Sequence, residues 1–508
     1  MFNLEYDYIH AKEPPKREDR LNACNAFGGS LCSLKQKAGC GCLKNADRSF
    51  AQTQGCQLFL SSAIINTIIR SVIIVHGPPG CGSANILSAG TTRVVQRQRD
   101  PGAFGLVWIS TNLDEADVIS GGEEKLDQAI RFAEKEFRPE AILIANTCVP
   151  AIIGDDIDTL LLSLKDEIRA KLVLIHCEGI RSKIMASAYD SVYHGILRGL
   201  LEKRREDLLP LIPDELEDLK EKLRISRTVN VFNVSSMSRQ DELELIRLLN
   251  ALGLTVRMYP CYSRPDQFED IGEAALNVSI CATHDDYFLG HLEKLYGLPY
   301  LIRTIPIGLS NTRRWVTDIA AFFGLEDLAE QIINQEEQKL KKALAPYKQA
   351  LKGKRVYIAG GEIRVLATAH FLRDDLEMEI VGMKGYHYDP FADLLLENFP
   401  EEEAATFSAA TGQPFEQANL LEKLKPDLYV GHVGLNGWAG RHGVPVFPVF
   451  MVSVNYMGYS GAFEIARRLT RILKNASFNQ NLYKHVKLPY RDSWYSQDAF
   501  KYIRQKEV

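Results

Sequence analysis

Hydrophobic and polar positions along the chain follow one dominant rhythm: a short apolar run, a turn carrying glycine, proline or cysteine, then a longer helical stretch. Runs at 72–75, 106–109, 141–145 and 172–175 are short and almost wholly apolar, which predicts buried strands. Around them, 58–69 reads as an apolar helix, a helix follows from Ala84, another spans 123–137, and a further one opens at Asp155-Asp156. Repetition of strand, turn and helix is the pattern of parallel α/β units.

The rhythm recurs twice more. A second set begins with a strand at 229–234 and passes through a helix at 239–252 to a strand at 275–280; a third opens at 355–358 and runs through 427–430 to residue 472. Charged stretches separate the sets. Residues 203–228, with two prolines, read as a linker plus a solvated helix, and 326–352 as a helical connector. At 508 residues the chain exceeds the size at which one core stops growing. Three α/β domains are expected, over 53–225, 226–345 and 346–475, preceded by an irregular arm at 1–52 and followed by an extension at 476–508.

Composition narrows the partners. A net charge of −5 without a polybasic run fits neither nucleic acid nor an anionic membrane. The first residues lack the apolar core of a secretory signal, and the 58–69 run is interrupted by Ser61, Ser62, Asn66 and Thr67, too short for a span. A cytoplasmic location is expected. There, ten cysteines point to metal ligands, catalytic groups or buried thiols before disulfides.

The first strand runs into His76-Gly-Pro-Pro-Gly-Cys-Gly-Ser83, whose glycines have P-loop spacing. A P-loop needs a lysine and a hydroxyl next, but Ser83 and Ala84 stand there, so the phosphate-binding charge is missing. Cys81 is left where bare backbone permits close approach. Cys148, Cys177 and Cys281 likewise follow strands, at the edge where open parallel sheets bind ligands. Thiolates suit iron–sulfur clusters, zinc or copper(I), and helix N-termini favour them. Cys56, Cys81 and Cys148 leave a four-ligand cluster one short, which a second chain would supply. In the arm, Cys24, Cys32, Cys40 and Cys42 match neither zinc-ribbon nor ferredoxin spacing; packed thiols, a zinc ion or an extra cluster all remain open.

Five segments, in order, carry a resemblance: Thr53-Gln-Gly-Cys56, His76-Gly-Pro-Pro-Gly-Cys81-Gly, Ser110-Thr-Asn-Leu-Asp-Glu-Ala-Asp-Val-Ile-Ser-Gly-Gly-Glu123, Asn146-Thr-Cys148-Val-Pro-Ala-Ile-Ile-Gly-Asp-Asp156 and Cys177-Glu-Gly-Ile-Arg181. Together they resemble the nitrogenase component 1 superfamily, nearest its α-type chains, over about residues 53–475. The resemblance implies three Rossmann-like domains with metal clusters at the carboxyl ends of parallel strands. It also implies a β-type subunit in an α2β2 heterotetramer and a partner iron protein that hydrolyses ATP and donates electrons. By the same resemblance, Cys56, Cys81 and Cys148 ligate an interfacial P-cluster-type 8Fe–7S or 4Fe–4S centre. Cys281 then holds one end of an active-site iron–sulfur cofactor of unspecified heterometal, with Gly360, Gly361, Glu362 and Arg364 forming the loop against it.

The chain departs from the nitrogen-reducing members. Their histidine ligand is missing from 445–459, where Phe450 or a neighbour stands; Met185, Ala186 and Tyr189 replace the glutamine and histidine of the substrate face; and the lysine that holds an organic acid is missing within 431–436. These losses argue against dinitrogen as substrate. His387, His432 and His442 could reach the cofactor instead. Two expectations follow. One is a nitrogenase-like reductase of a small molecule, such as a methylthio-alkane reductase breaking a carbon–sulfur bond, with Cys281, Arg364, Tyr189 and His284 at the reacting centre and Tyr189, His284 and Glu178 as candidate proton donors. The other is a non-catalytic E-type scaffold for cofactor assembly, which shares the Asn-Thr-Cys-Val-Pro motif and a cysteine-bearing arm, here Cys40 or Cys42. Cys177-Glu-Gly-Ile-Arg181 looks more like the catalytic chains.

Overall fold

Three separate sheets, the first two wholly parallel and the third parallel but for one edge strand, organise the chain. In the first, Val107–Ser110, Ser71–His76, Ala141–Asn146 and Lys171–His176 lie side by side in that order, all parallel. Both central strands are buried at every residue, since helices cover both faces, and this is why they read as unbroken apolar runs. In the second the order is Tyr300–Leu301, Leu276–Ser279, Thr228–Phe232, Thr255–Tyr259, again all parallel. The third has six strands: Phe27–Ser30, Thr406–Ala409, Glu379–Gly385, Arg355–Gly360, Leu428–Gly431 and Val446–Pro448. The computed structural model describes residues 6–39, 43, 46–52, 56–83, 86–201, 222–303, 305–400, 402–432 and 436–505, with backbone alone for 86–91. Most of the expected 203–228 linker, Cys40 and Cys42 lie outside the described residues.

The N-terminal segment is not irregular. It holds a helical turn Arg17–Arg20, the strand Phe27–Ser30 and a helix Leu31–Gly39. Its strand forms the one antiparallel edge of the third sheet, Phe27 opposite Ala409 and Ser30 opposite Thr406. Phe27, Leu31 and Leu34 are buried in one core with Phe407 of the third sheet and Leu395 of the helix Asp393–Leu396, a long-range packing that no local periodicity announces. At the far end, Ile503–Gln505 pairs antiparallel with Ala46–Arg48.

Arg17 and Arg20 fasten this segment to the body. Arg17 is wholly buried, with Nη2 at 3.1 Å from Asp190 and 3.0 Å from Asp286, and Nη1 at 3.3 Å from Asp389. Nη2 also donates to the Thr283 carbonyl at 2.5 Å. Arg20 reaches both Asp190 oxygens at 2.9 and 3.0 Å and bonds Asp286. Asp190 sits on the helix Ser187–Gly199 after the first sheet, Asp286 on Ala282–Tyr296 in the second unit, and Asp389 just beyond the strand Glu379–Gly385 of the third. One short segment thus joins all three. No helix among the described residues is long and apolar enough to cross a membrane.

Candidate functional site

The carboxyl end of the first sheet gathers three thiols. Past Ser71–His76 the glycine turn closes into a short helix, Pro79–Ser83, that carries Cys81. Cys148 opens the helix Cys148–Ile153 after the next strand, and Cys56 is the N-cap of Gln57–Ile65. Glycines bring the loops together. A Cβ on Gly77 would lie 2.1 Å from Thr147 Oγ1, and one on Gly179 would lie 2.7 Å from the Cys56 Cβ. Thr147 Oγ1 donates to the His76 carbonyl at 2.8 Å, which locks the two strand ends. His76 Nε2 donates to Asp155 at 2.9 Å while Nδ1 faces Thr111 at 3.2 Å; burial holds the ring below its ordinary pKa against the pull of Asp155.

Cys56 is exposed, and Cys81 and Cys148 are half-buried, so the group opens outward. Burial pushes the Cys81 thiol up, with Thr147 opposing and the neighbouring Cys148 and Cys56 adding to the rise. A metal shared with Cys56 and Cys148 would relieve the Cys81 thiol of that repulsion. Cys177 differs. It is buried, with its thiol pushed far up by burial, the state of an inert thiol. Ile119, Ile152 and Ile180 stand exposed on or beside the elements that carry these cysteines.

A cavity of about 290 Å³ lies where strand ends of the second and third sheets meet helix and loop residues of the first unit. Residues just past strand ends line it, Ser236 and Cys281 in the second sheet and Gly361, His387 and His432 in the third, while Tyr189 comes from the helix Ser187–Gly199 that follows the first. Cys281 is the N-cap of Ala282–Tyr296, a helix buried almost all round, and burial pushes its thiol up to about 12 despite the nearby Arg364. Arg364 Nη1 donates to Ser236 Oγ at 2.8 Å, and Nη2 lies 3.3 Å from His284 Nε2. A guanidinium only donates, so His284 accepts at Nε2 and carries its proton on Nδ1. Burial and Arg364 drive its pKa well below the ordinary value, in keeping with a neutral ring. Nδ1 finds no partner among the described residues. The Tyr189 ring stacks on His284 at 3.8 Å.

Several sequence expectations divide here. Cys281, Arg364, Tyr189, His284 and Gly361 meet at the cavity. Gly360 does not line it; a Cβ there would lie 2.9 Å from the Phe450 ring, so its smallness serves packing. His387 and His432 reach the wall, whereas His442 bonds Glu422 at 3.1 Å elsewhere. Glu178 accepts from Asn146 at 2.8 Å and from His176 at 2.9 Å, away from the cavity. Glu362, expected only in the loop against the cofactor, is wholly buried on the wall with His387 Nε2 3.1 Å from its Oε1.

Thiols ranged at the carboxyl ends of parallel strands, one of them alone in a cavity between three sheets, define a multidomain α/β chain that presents soft ligands at its sheet edges. The chain belongs to the nitrogenase component 1 type oxidoreductase family, which it matches over residues 56–474. It is 26% identical to the nitrogenase iron-molybdenum cofactor biosynthesis protein NifE of Rippkaea orientalis, covering 84% of this chain and 86% of that one. It is 25% identical to the nitrogenase molybdenum-iron protein alpha chain of Methanosarcina barkeri, with 86% and 87% covered. The solved structure of nitrogenase Cp1 at pH 5 shares the fold, with a TM-score of 0.69 at 20% identity over 88% of this chain and 93% of that one.

Proposed function

We propose that this chain is the α-type catalytic subunit of a nitrogenase-like reductase that takes electrons from an iron protein and reduces a small molecule other than dinitrogen, a methylthio-alkane being the substrate its cavity suits. The observation that carries this reading is Cys281, alone and buried on a cavity wall beside Arg364, neutral His284 and Tyr189. The residues fit an iron–sulfur group there: one soft ligand, a fixed guanidinium to balance a negative cluster, an unpartnered imidazole N–H, and Gly361, where a Cβ would meet nothing within 4 Å. Such a group, when bound, supplies several electrons at one place. The chain does the rest. Arg364 orients and neutralises, His284 Nδ1–H would donate to a bound group, and Phe59, Leu60, Ala63 and Met185 make an apolar wall that excludes water and accepts a methylthio group.

Cys56, Cys81 and Cys148 would hold a P-cluster-type or 4Fe–4S cluster with ligands from a β-type partner in an α2β2 assembly. Their outward opening and the exposed isoleucines around them support a covered face. ATP would be hydrolysed on the iron protein, since the 77–82 turn has no lysine. The E-type scaffold reading draws on a different observation: a phenyl ring, Phe450, lies over Gly360 where catalytic relatives are expected to offer an imidazole, which favours a loosely held cofactor.

Anoxic purification with the partner chain and iron protein, followed by ATP, reductant and a methyl thioether, separates the two. Thiol product that disappears in Cys281→Ala supports the reductase. A bound metal cofactor that passes to an acceptor protein without turnover supports the scaffold. Unchanged iron in a Cys56→Ala, Cys81→Ala, Cys148→Ala chain would remove the interfacial cluster from both readings.

A further inference from the structure

We propose that Glu362 is the proton donor of this cavity, held for that task by Thr283 and His387. Glu362 opens the helix Glu362–His370 at the end of the third sheet's strand Arg355–Gly360. It is wholly buried. Oε1 accepts from Thr283 Oγ1 at 2.9 Å and stands 3.1 Å from His387 Nε2, while Oε2 has no partner among the described residues and the residue lines the cavity. A buried carboxyl oxygen without a donor is costly as a carboxylate and tolerable as a hydroxyl.

The charges behind it point the same way. His387 Nε2 also stands 3.1 Å from Asp389 Oδ2, which in turn accepts from Arg17 Nη1 at 3.3 Å. Behind the cavity wall, Arg17 and Arg20 face three carboxylates, Asp190, Asp286 and Asp389. An imidazolium at His387 makes that group neutral, and none of its charge is left for Glu362 to balance. Burial opposes that imidazolium, yet Glu362 and Asp389 hold the His387 pKa above its ordinary value. Burial raises Glu362, Asp389 adds to the rise, and His387 opposes it. From the cavity side, Arg364 directs its guanidinium to Ser236 and His284, and Cys281, Tyr189 and Tyr386 all have raised pKa values. The ligand atoms of Glu362, His387 and Asp389 lie within 4.8 Å of one another, close enough for a cation. Arg17 already supplies the positive charge on that Asp389 oxygen, so a proton relay fits the cluster better than a metal.

The step rests on the reductase reading. Breaking one carbon–sulfur bond of a methyl thioether consumes two electrons, drawn from a reduced iron–sulfur group, and two protons, giving a thiol and a hydrocarbon. Glu362 supplies one of these protons. Its Oε2–H bond breaks, the proton goes to the atom that gains the electron pair, and the carboxylate left behind keeps the Thr283 hydroxyl and the charge of the neighbouring His387 imidazolium. Solvent admitted once product has left restores the proton.

The test compares the wild-type complex with Glu362→Gln, which keeps the shape and the Thr283 contact. Infrared difference spectra in H2O and D2O should reveal a protonated carboxyl band, shifted by deuterium, that the variant lacks. Iron content should stay equal, and thioether turnover should fall about a hundredfold or more with KM little changed. Absence of the band, turnover within twofold of wild type, or a divalent metal retained by the cofactor-free wild-type chain and lost from Glu362→Gln would each overturn the proposal. A wild-type complex that shows the band but reduces no thioether overturns the reductase reading, and the proton step falls with it.

Discussion

Arg17→Ala tests whether the N-terminal segment is a clasp. The variant leaves Asp190 with two bonds from Arg20 and Asp286 with one, whereas Asp389 keeps only His387 and the Phe391 N–H, and the Thr283 carbonyl loses its 2.5 Å donor. The contacts share partners, so their energies do not add. The net change is one positive charge removed from a buried group, a loss of about 3–5 kcal/mol. Hydrogen exchange read by mass spectrometry localises the effect without assuming two-state unfolding of a three-unit chain. With about 1.4 kcal/mol per factor of ten, amides of Ser187–Gly199 and Ala282–Tyr296 should lose about a hundredfold to a few thousandfold of protection. Amides of Ser71–His76, remote from Arg17, should be unchanged. A loss below about fivefold in both helices, equivalent to under about 1 kcal/mol, would refute the clasp.

Two further perturbations probe the frame around the sites. Burial pushes Lys384 down to about 7 from its ordinary 10.5, so the unfolded chain binds more protons between those values and this residue's contribution to stability rises with pH there, and is lost as pH falls toward 7. Relative to Lys384→Met, wild-type stability should climb by about 1.4 kcal/mol per pH unit between pH 7 and 10 in urea titrations; a flat difference would count against it. Gly77→Ala should cost about 1–3 kcal/mol by driving a methyl into Thr147 Oγ1 and should reduce iron held through Cys81 and Cys148. Adding Thr147→Ala should recover part of that loss, and strictly additive costs would deny the contact.

Much of this architecture is legible in the sequence for a physical reason. Strands covered on both faces are apolar throughout, so Ser71–His76 and Ala141–Asn146 announce themselves, and each strand-end cysteine follows its strand within a few residues. What depends on distant contacts is not legible. Phe27–Ser30 reads Phe-Gly-Gly-Ser and becomes a strand only because Thr406–Ala409 offers an edge. The helix Ala282–Tyr296 carries Thr283, His284, Asp285 and Asp286 on surfaces that other units bury, so its text looks solvated. His387, His432 and His442 look alike as isolated histidines; only tertiary packing sends two to the cavity and one to Glu422. Glu362 and His387 gain their meaning from meeting Thr283, which comes from a different sheet.

The antiparallel edge strand and the buried Arg17 also set an order in time. Arg17 leaves the ribosome early, but its partner Asp389 is 372 residues away, and the edge that receives Phe27–Ser30 is made later still. At about 5–20 residues per second that interval lasts about 20–75 s. During it the first two sheets can form while the wall bearing Glu362, His387 and His432 does not yet exist. The segment that holds Arg17 and Phe27–Ser30 is translated before the other strands of all three sheets yet is among the last to dock, and its docking joins that late wall to the other two units. A group entering beside Cys281 would therefore have a nascent stage at which the way in is widest, before the segment around Arg17 fastens the third unit's wall.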